Sequence, residues 1–265
     1  MREHELFSKG ICRLSVVPVR ASASDKSEQV TQLLFGDHYT ITSISENKKW
    51  YKIQIFFDDY EGWIDAKQHY SIPEDYFEQI NNSDYKITLD YTSSILFKKQ
   101  VINILIGSVL PIATNELFKI EEQLAFNGEA KSLNQKRDYE FLKMVAFRYI
   151  NSPYLWGGKT PFGIDCSGFT QQVFKIGGYK LHRDAKLQAT QGEEVASIKA
   201  ALPGDLLFFE KDDGLINHVG IFLEGNEVIH ASGKVRVDRI DDTGILDAAN
   251  DQYTHQLASI RRLLK

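Results

Sequence analysis

Residues 156–175 read W-G-G-K-T-P-F-G-I-D-C-S-G-F-T-Q-Q-V-F-K. A loop rich in glycine and proline runs into Cys166. The residues after it are amphipathic, with Phe169, Val173 and Phe174 on one helical face. A helix that begins at Cys166 puts the thiol at the positive end of the helix dipole, which favours the thiolate. The N–H groups of the first helical turn have no intrahelical acceptor and suit a developing oxyanion. Asp165 would oppose the thiolate if its side chain lay alongside, so that side chain is expected to point aside. The stretch predicts a nucleophile at a loop-to-helix junction.

Two histidines follow in strand-like contexts, His218 in N-H-V-G-I-F and His230 in V-I-H-A-S. They flank a hairpin with Glu224-Gly225-Asn226 at its tip. Side chains alternate along a strand, so the loop length decides whether the two imidazoles share a face. A two-residue loop pairs His230 with Ile221 and separates them. A three-residue loop, Glu224–Asn226, pairs His230 with Gly220 and brings them together, with Val219, Ile221, Leu223 and Ile229 forming a core face. The three-residue loop is the expectation, and Gly220 then leaves room for the imidazole. Cys166, His218 and His230 make a set of nucleophile, base and orienting partner. A zinc site built from the same three residues is the competing chemical reading, but no closely spaced ligand pair anchors it. His4, His38, His69, His182 and His255 have no comparable context and read as surface or structural residues. Cys12, in an apolar β run, reads as a small buried hydrophobe.

The elements around this set give its domain. Tyr139, Leu142, Val145, Ala146 and Tyr149 mark one helical face, and Asn151-Ser152-Pro153 ends the helix. L-P-G-D-L-L-F-F, H-V-G-I-F-L and E-V-I-H-A read as consecutive strands. Helices first and antiparallel strands after predict an α+β domain over residues 133–265.

The N-terminal half differs. R-L-S-V-V-P-V-R, V-T-Q-L-L-F, H-Y-T-I-T-S-I, W-Y-K-I-Q-I-F-F and G-W-I-D are short runs rich in β-branched and aromatic residues, separated by turn-prone clusters. They predict a small all-β barrel over residues 1–72, with Trp63 in its core. Gln32–Ile41 aligns with Asn103–Ile112, and W-Y-K-I-Q finds a rough echo in L-F-K-I-E. Residues 73–132 are therefore read as a second, degenerate copy of the barrel.

With 265 residues, 43% hydrophobic and 25% charged, the composition is that of a globular protein. A formal charge of −5 gives no electrostatic reason to expect nucleic acid or an anionic membrane surface as partner. Two cysteines far apart suggest no disulfide framework. No stretch is long and apolar enough to span a bilayer, and the first residues lack the apolar core of a leader peptide. The expectation is a cytoplasmic monomer, or a periplasmic one if a leader has been removed.

Y-L-W-G-G, D-C-S-G-F, L-P-G-D-L-L-F-F, H-V-G-I-F and V-I-H-A-S together resemble the NlpC-type papain-like cell-wall peptidases. P-V-R-A-S, S-E-Q-V-T-Q-L-L-F-G-D and Y-E-G-W-I resemble the bacterial SH3-like modules that precede them. The resemblance implies two small SH3-like barrels followed by an α+β papain-like domain. It is nearest to the γ-D-glutamyl-L-diamino acid endopeptidases, also called dipeptidyl-peptidase VI, and so implies a murein peptide, L-Ala-γ-D-Glu-diamino acid, as substrate and no cofactor. It also implies Cys166 as nucleophile, His218 as base and His230 as orienting residue. Trp156 would wall the pocket, and Asp165 and Ser167 would bind substrate through side chain or backbone. Asp184 of R-D-A would bind the substrate's N-terminal ammonium, although the family's following serine is Ala185 here. Tyr60 and Glu28 would be lent by the first SH3-like module. A papain-like amidase or acyltransferase and a non-catalytic peptidoglycan-binding protein are the alternatives.

Overall fold

The chain divides into two compact units, residues 1–135 and 136–265, and its computed structural model describes residues 6–110, 125–211, 214–247 and 251–264. In the first unit, β1 (Lys9–Ile11), β2 (Val16–Arg20), β3 (Gln29–Leu34), β4 (His38–Ile44), β5 (Trp50–Ile55), β6 (Glu61–Asp65) and β7 (Ser71–Ile72) form one sheet in the order β3-β2-β6-β5-β4-β1-β7. Strands β2 to β6 are the five runs read from the sequence. Alternation turns Val17, Val19, Ile41, Ile53 and Ile64 onto a common core with Tyr39 and Tyr51. Trp63 is not part of that core. It lies between inward-facing Gly62 and Ile64, so the strand period places it half-buried on the other face of β6.

The rest of the first unit holds α1 (Glu74–Asn82) and the short strands β8 (Lys86–Thr88), β9 (Thr92–Phe97), β10 (Gln100–Leu105), β11 (Val109–Leu110), β12 (Ala125–Asn127) and β13 (Ala130–Ser132). They pair as two three-stranded sheets, β10-β9-β12 and β11-β8-β13. These elements bury their apolar faces together with residues of the first sheet. Ile11 and Ile72 pack with Phe77, Ile80, Tyr85 and Val109, and Phe35 packs with Ile95, Phe97, Ile104 and Leu110. The repeat seen in the sequence has a structural counterpart in two turns. The Asp37 and Ser108 N–H groups each donate to a carbonyl three residues back, Leu34 and Leu105, at 3.0 Å. The glycines between them, Gly36 and Gly107, have φ of +87° and +84°, a backbone that turns with φ > 0 at the third residue require. The L-F-K-I-E echo lies outside the described residues.

The second unit begins with α2 (Tyr139–Phe147), whose buried Leu142, Val145 and Ala146 are the face read from the sequence. A loop with the two-residue strands β14 (Lys159–Thr160) and β15 (Gly163–Ile164) leads into α3 (Cys166–Ile176), followed by the single turn α4 (Ala185–Gln188). Then come β16 (Glu193–Val195), β17 (Leu206–Glu210), β18 (Ile216–Leu223), β19 (Glu227–Ser232), β20 (Lys234–Ile240), β21 (Gly244–Asp247) and β22 (Gln252–Arg262). The sheet order β16-β22-β17-β18-β19-β20-β21, with a further β21–β22 pairing, closes β17 to β22 into a barrel. Its interior holds Leu207, Phe209, Phe222, Val228, Ile240, Ile245 and Ile260. The outward-facing Val219, Ile221 and Ile229 are also fully buried, on the strands against which α3 packs.

Candidate functional site

Cys166 is the first residue of α3, as its sequence context predicts. The preceding residue, Asp165, caps the helix by accepting the Gly168 N–H at 2.6 Å. Its other oxygen accepts the Gly157 N–H at 2.8 Å. Arg183 grips both oxygens, at 3.0 and 2.6 Å, and also donates to Ser167 Oγ at 2.9 Å. The Asp165 side chain therefore points aside from the thiol. Gly168 permits this junction, because a Cβ there would lie 2.3 Å from the Gly158 carbonyl. The Cys166 thiol is directed at the start of β18, its Sγ 4.0 Å from the Asn217 carbonyl. Asn217 is the extra residue where the β17–β18 register shifts, a bulge of the kind that re-aims groups beside active sites.

The histidine hairpin has the three-residue loop. Leu223 pairs with Glu227 and Gly220 with His230. Gly225 and Asn226 take positive φ in the loop. His218 and His230 consequently share a face, and that face is the barrel interior. His218 Nε2 and His230 Nδ1 lie 2.8 Å apart. A Cβ at Gly220 would approach the His230 Cβ to 3.0 Å and a Val228 methyl to 2.5 Å, so the absence of a side chain there makes the room the sequence suggested. With these two nitrogens turned toward each other, the imidazoles are not jointly open to a metal ion.

Residues 151–255 match the NlpC/P60 family, and residues 19–68 match the bacterial dipeptidyl-peptidase SH3 domain. The C-terminal unit is an NlpC/P60 cysteine peptidase domain. A gamma-D-glutamyl-L-lysine dipeptidyl-peptidase of Bacillus subtilis is 29% identical over 258 residues, spanning 88% of this chain and 80% of that protein. A dipeptidyl-peptidase 6 of Lysinibacillus sphaericus is 26% identical over 238 residues, 82% of this chain and 86% of its own. A crystal structure of an NlpC/P60 family protein from Bacillus cereus shares the fold across 97% of this chain and all of its own, with a TM-score of 0.81 at 20% identity.

The electrostatics of the NlpC/P60 site depart from the sequence expectation. Burial pushes the Cys166 thiol up to about 12, with Asp165 adding to the rise; the Val219 backbone and Arg183 oppose it. The helix terminus does not offset this desolvation. Burial, then the neighbouring His230 and His255, hold His218 well below its usual 6.5. Burial thus disfavours the charged form of both groups.

The remaining expected residues fall as follows. The side chains of Asp165 and Ser167 are buried and engaged with Arg183 and the capping network. Asp184 directly precedes α4, is half-buried, and makes no capping hydrogen bond; its neighbour Arg183 turns inward to Asp165. Trp156 is 58% exposed, beside Gly157 of the same network. In the N-terminal unit, Glu28 is exposed just before β3, and its carbonyl accepts the Ala21 N–H at 2.9 Å. Tyr60, between β5 and β6, packs partly buried against the barrel core.

Two residues of the site escaped the sequence reading. His255 on β22 stacks on His218, ring centroids 4.2 Å apart at 30°. Asp238 on β20 accepts from His230 Nε2 at 2.9 Å and from Arg236 at 2.6 Å. Hydrogen bonds from His230 and Arg236 outweigh its burial and keep its carboxyl below the usual range. The alternation in K-V-R-V-D-R-I carried a signal for Asp238, since it puts Arg236 and Asp238 on one face. Nothing local marked His255, which reaches His218 only through barrel closure.

Proposed function

We propose that the protein hydrolyses the γ-D-Glu–diamino acid bond of murein peptides bearing a free N-terminal L-Ala, in peptidoglycan turnover. The observation that carries this reading is the hydrogen-bonded His218–His230 pair inside the barrel, on the strand that the helix-terminal Cys166 thiol contacts. Support also comes from the two relatives named for dipeptidyl-peptidase activity, which align with most of the chain.

In this mechanism His218 takes the Cys166 proton as the sulfur attacks the γ-carbonyl carbon of D-Glu. First-turn N–H groups of α3 hold the oxyanion. Collapse breaks the C–N bond, and His218 returns its proton to the leaving amine. A water molecule, deprotonated by His218, then cleaves the thioester and restores the thiol. His230 orients His218. Asp184, with no hydrogen-bond partner as a helix cap, reads the substrate ammonium, with Trp156 walling the pocket. A carboxylate that pairs with the ammonium favours free N-termini over substituted ones.

The test is hydrolysis of L-Ala-γ-D-Glu-L-Lys and its diaminopimelate analogue, each free and N-acetylated, by wild type and Cys166→Ala. The reading requires L-Ala-γ-D-Glu to be released from the free peptides alone, and not by the mutant. Equal cleavage of acetylated peptides would overturn the ammonium-reading site.

A further inference from the structure

Behind the two histidines the barrel interior continues as a chain of polar contacts. His218 Nε2 faces His230 Nδ1 at 2.8 Å, and His230 Nε2 faces Asp238 Oδ2 at 2.9 Å. Asp238 Oδ1 accepts from Arg236 at 2.6 Å, and Arg236 reaches Asp247 at 3.3 Å. His230 and Asp238 are both buried. Register supports the order, because His230 pairs with Arg236 and Val228 with Asp238, so all four side chains point to the same interior.

This chain has a direction. An ionised carboxylate accepts only, and a guanidinium donates only. Asp238 therefore takes the proton of His230 Nε2, which leaves His230 Nδ1 as a lone pair. That lone pair accepts from His218 Nε2–H. His218 Nδ1 is then the unprotonated nitrogen, the one free to receive the thiol proton. Among the described residues, the other rings against His218 are the stacked His255 and Phe209, centroid distances 4.2 and 5.7 Å; neither is a carboxylate that could impose the opposite tautomer.

We infer that Asp238 is a positioning residue for the peptidase reaction: together with Arg236 it fixes the tautomers of His230 and His218, so that the unprotonated nitrogen of His218 is the one turned away from His230. The inference rests on His218 acting as the base. It extends the orienting set one residue beyond His230 and assigns Arg236 a part. Arg236 offers only donors, so an amide at position 238 must turn its oxygen to Arg236 and its NH2 to His230. His230 would then accept at Nε2 and carry its proton on Nδ1. His218 would be driven to accept at Nε2, with its own proton on Nδ1.

The experiment compares wild type, Asp238→Asn, Arg236→Met and Asp238→Asn/Arg236→Met in the full chain. Two quantities are measured: histidine tautomers by 15N NMR, and kcat and KM on L-Ala-γ-D-Glu-L-Lys. Wild type should show the proton of His230 on Nε2. Asp238→Asn should move it to Nδ1 and lower kcat about 100-fold or more with KM little changed, as expected for a wrong-tautomer effect. In the double variant the amide is free to turn its oxygen to His230, restoring the wild-type tautomer and at least about tenfold of the lost kcat. A wild-type His230 protonated on Nδ1 overturns the inference without any variant. So does a double variant no better than Asp238→Asn. If wild type carries the expected tautomers but cleaves no peptide, the substrate assignment fails and the positioning role stands.

Discussion

Arg183 and Asp165 form a buried two-pronged ion pair, 3.0 and 2.6 Å, directly beneath the thiol-bearing end of α3. Removing the guanidinium leaves a carboxylate buried without its counter-charge. Arg183→Met is expected to cost about 3–5 kcal/mol of stability, measured by urea unfolding. Arg183→Lys should recover only part of this, because an ammonium cannot match both oxygens and Ser167 at once. A variant as stable as wild type would show that the pair does not hold the junction.

The lowered His218 predicts an acid-tolerant enzyme. The base-competent form is the neutral imidazole, and a depressed pKa keeps it neutral to lower pH. The acid limb of kcat/KM should therefore have its midpoint below 6.5. A midpoint at or above 6.5 would remove His218 as a desolvated base.

Stability should follow the same groups with the same sign. His218 and His255, the latter lowered to about 4, bind fewer protons folded than unfolded. Their contribution is complete above pH 6.5 and is lost as the pH falls toward 4. Urea midpoints at pH 7 should exceed those at pH 5, with the difference reduced in His255→Phe.

The His218–His255 stack gives a separable prediction. His255→Phe keeps a ring on the imidazole and removes a group whose proximity lowers His218. The acid limb should move upward while maximal kcat changes less than about tenfold. A large kcat loss with an unmoved limb would mean that His255 takes part in the chemistry.

Asp184 should govern selectivity. A charged hydrogen bond contributes about 1.5–3 kcal/mol, so Asp184→Asn is expected to lower kcat/KM on the free peptide by about 10- to 150-fold. Any residual cleavage of the N-acetylated peptide should stay unchanged. An equal loss on both peptides would assign Asp184 to structure.

How much was legible follows from the range of each interaction. Cys166 at a helix start and the His218–His230 face were readable because a helix junction and a three-residue loop are local geometry. Asp238 was half-readable, marked by alternation but not by its partner. His255 was invisible, because it meets His218 only when β22 pairs with both β17 and β21. Trp63 misled because aromatic character suggests a core, whereas its position in β6 is set by the parity of Gly62 and Ile64. The raised thiol was also missed: a dipole can be read from sequence, but burial cannot.

The Glu224–Asn226 loop lies at the surface, where insertions are ordinarily tolerated. Here its length has a sign. One residue more or fewer would turn His230 out of the barrel and bring an aliphatic side chain in; two would restore the facing. Tyr139 and Lys143 of α2 also hold Glu224, at 2.7 and 2.8 Å, so even a two-residue change would have to renegotiate that anchor. At this exposed tip a single-residue insertion or deletion is thus expected to abolish turnover, although no residue of the tip touches substrate.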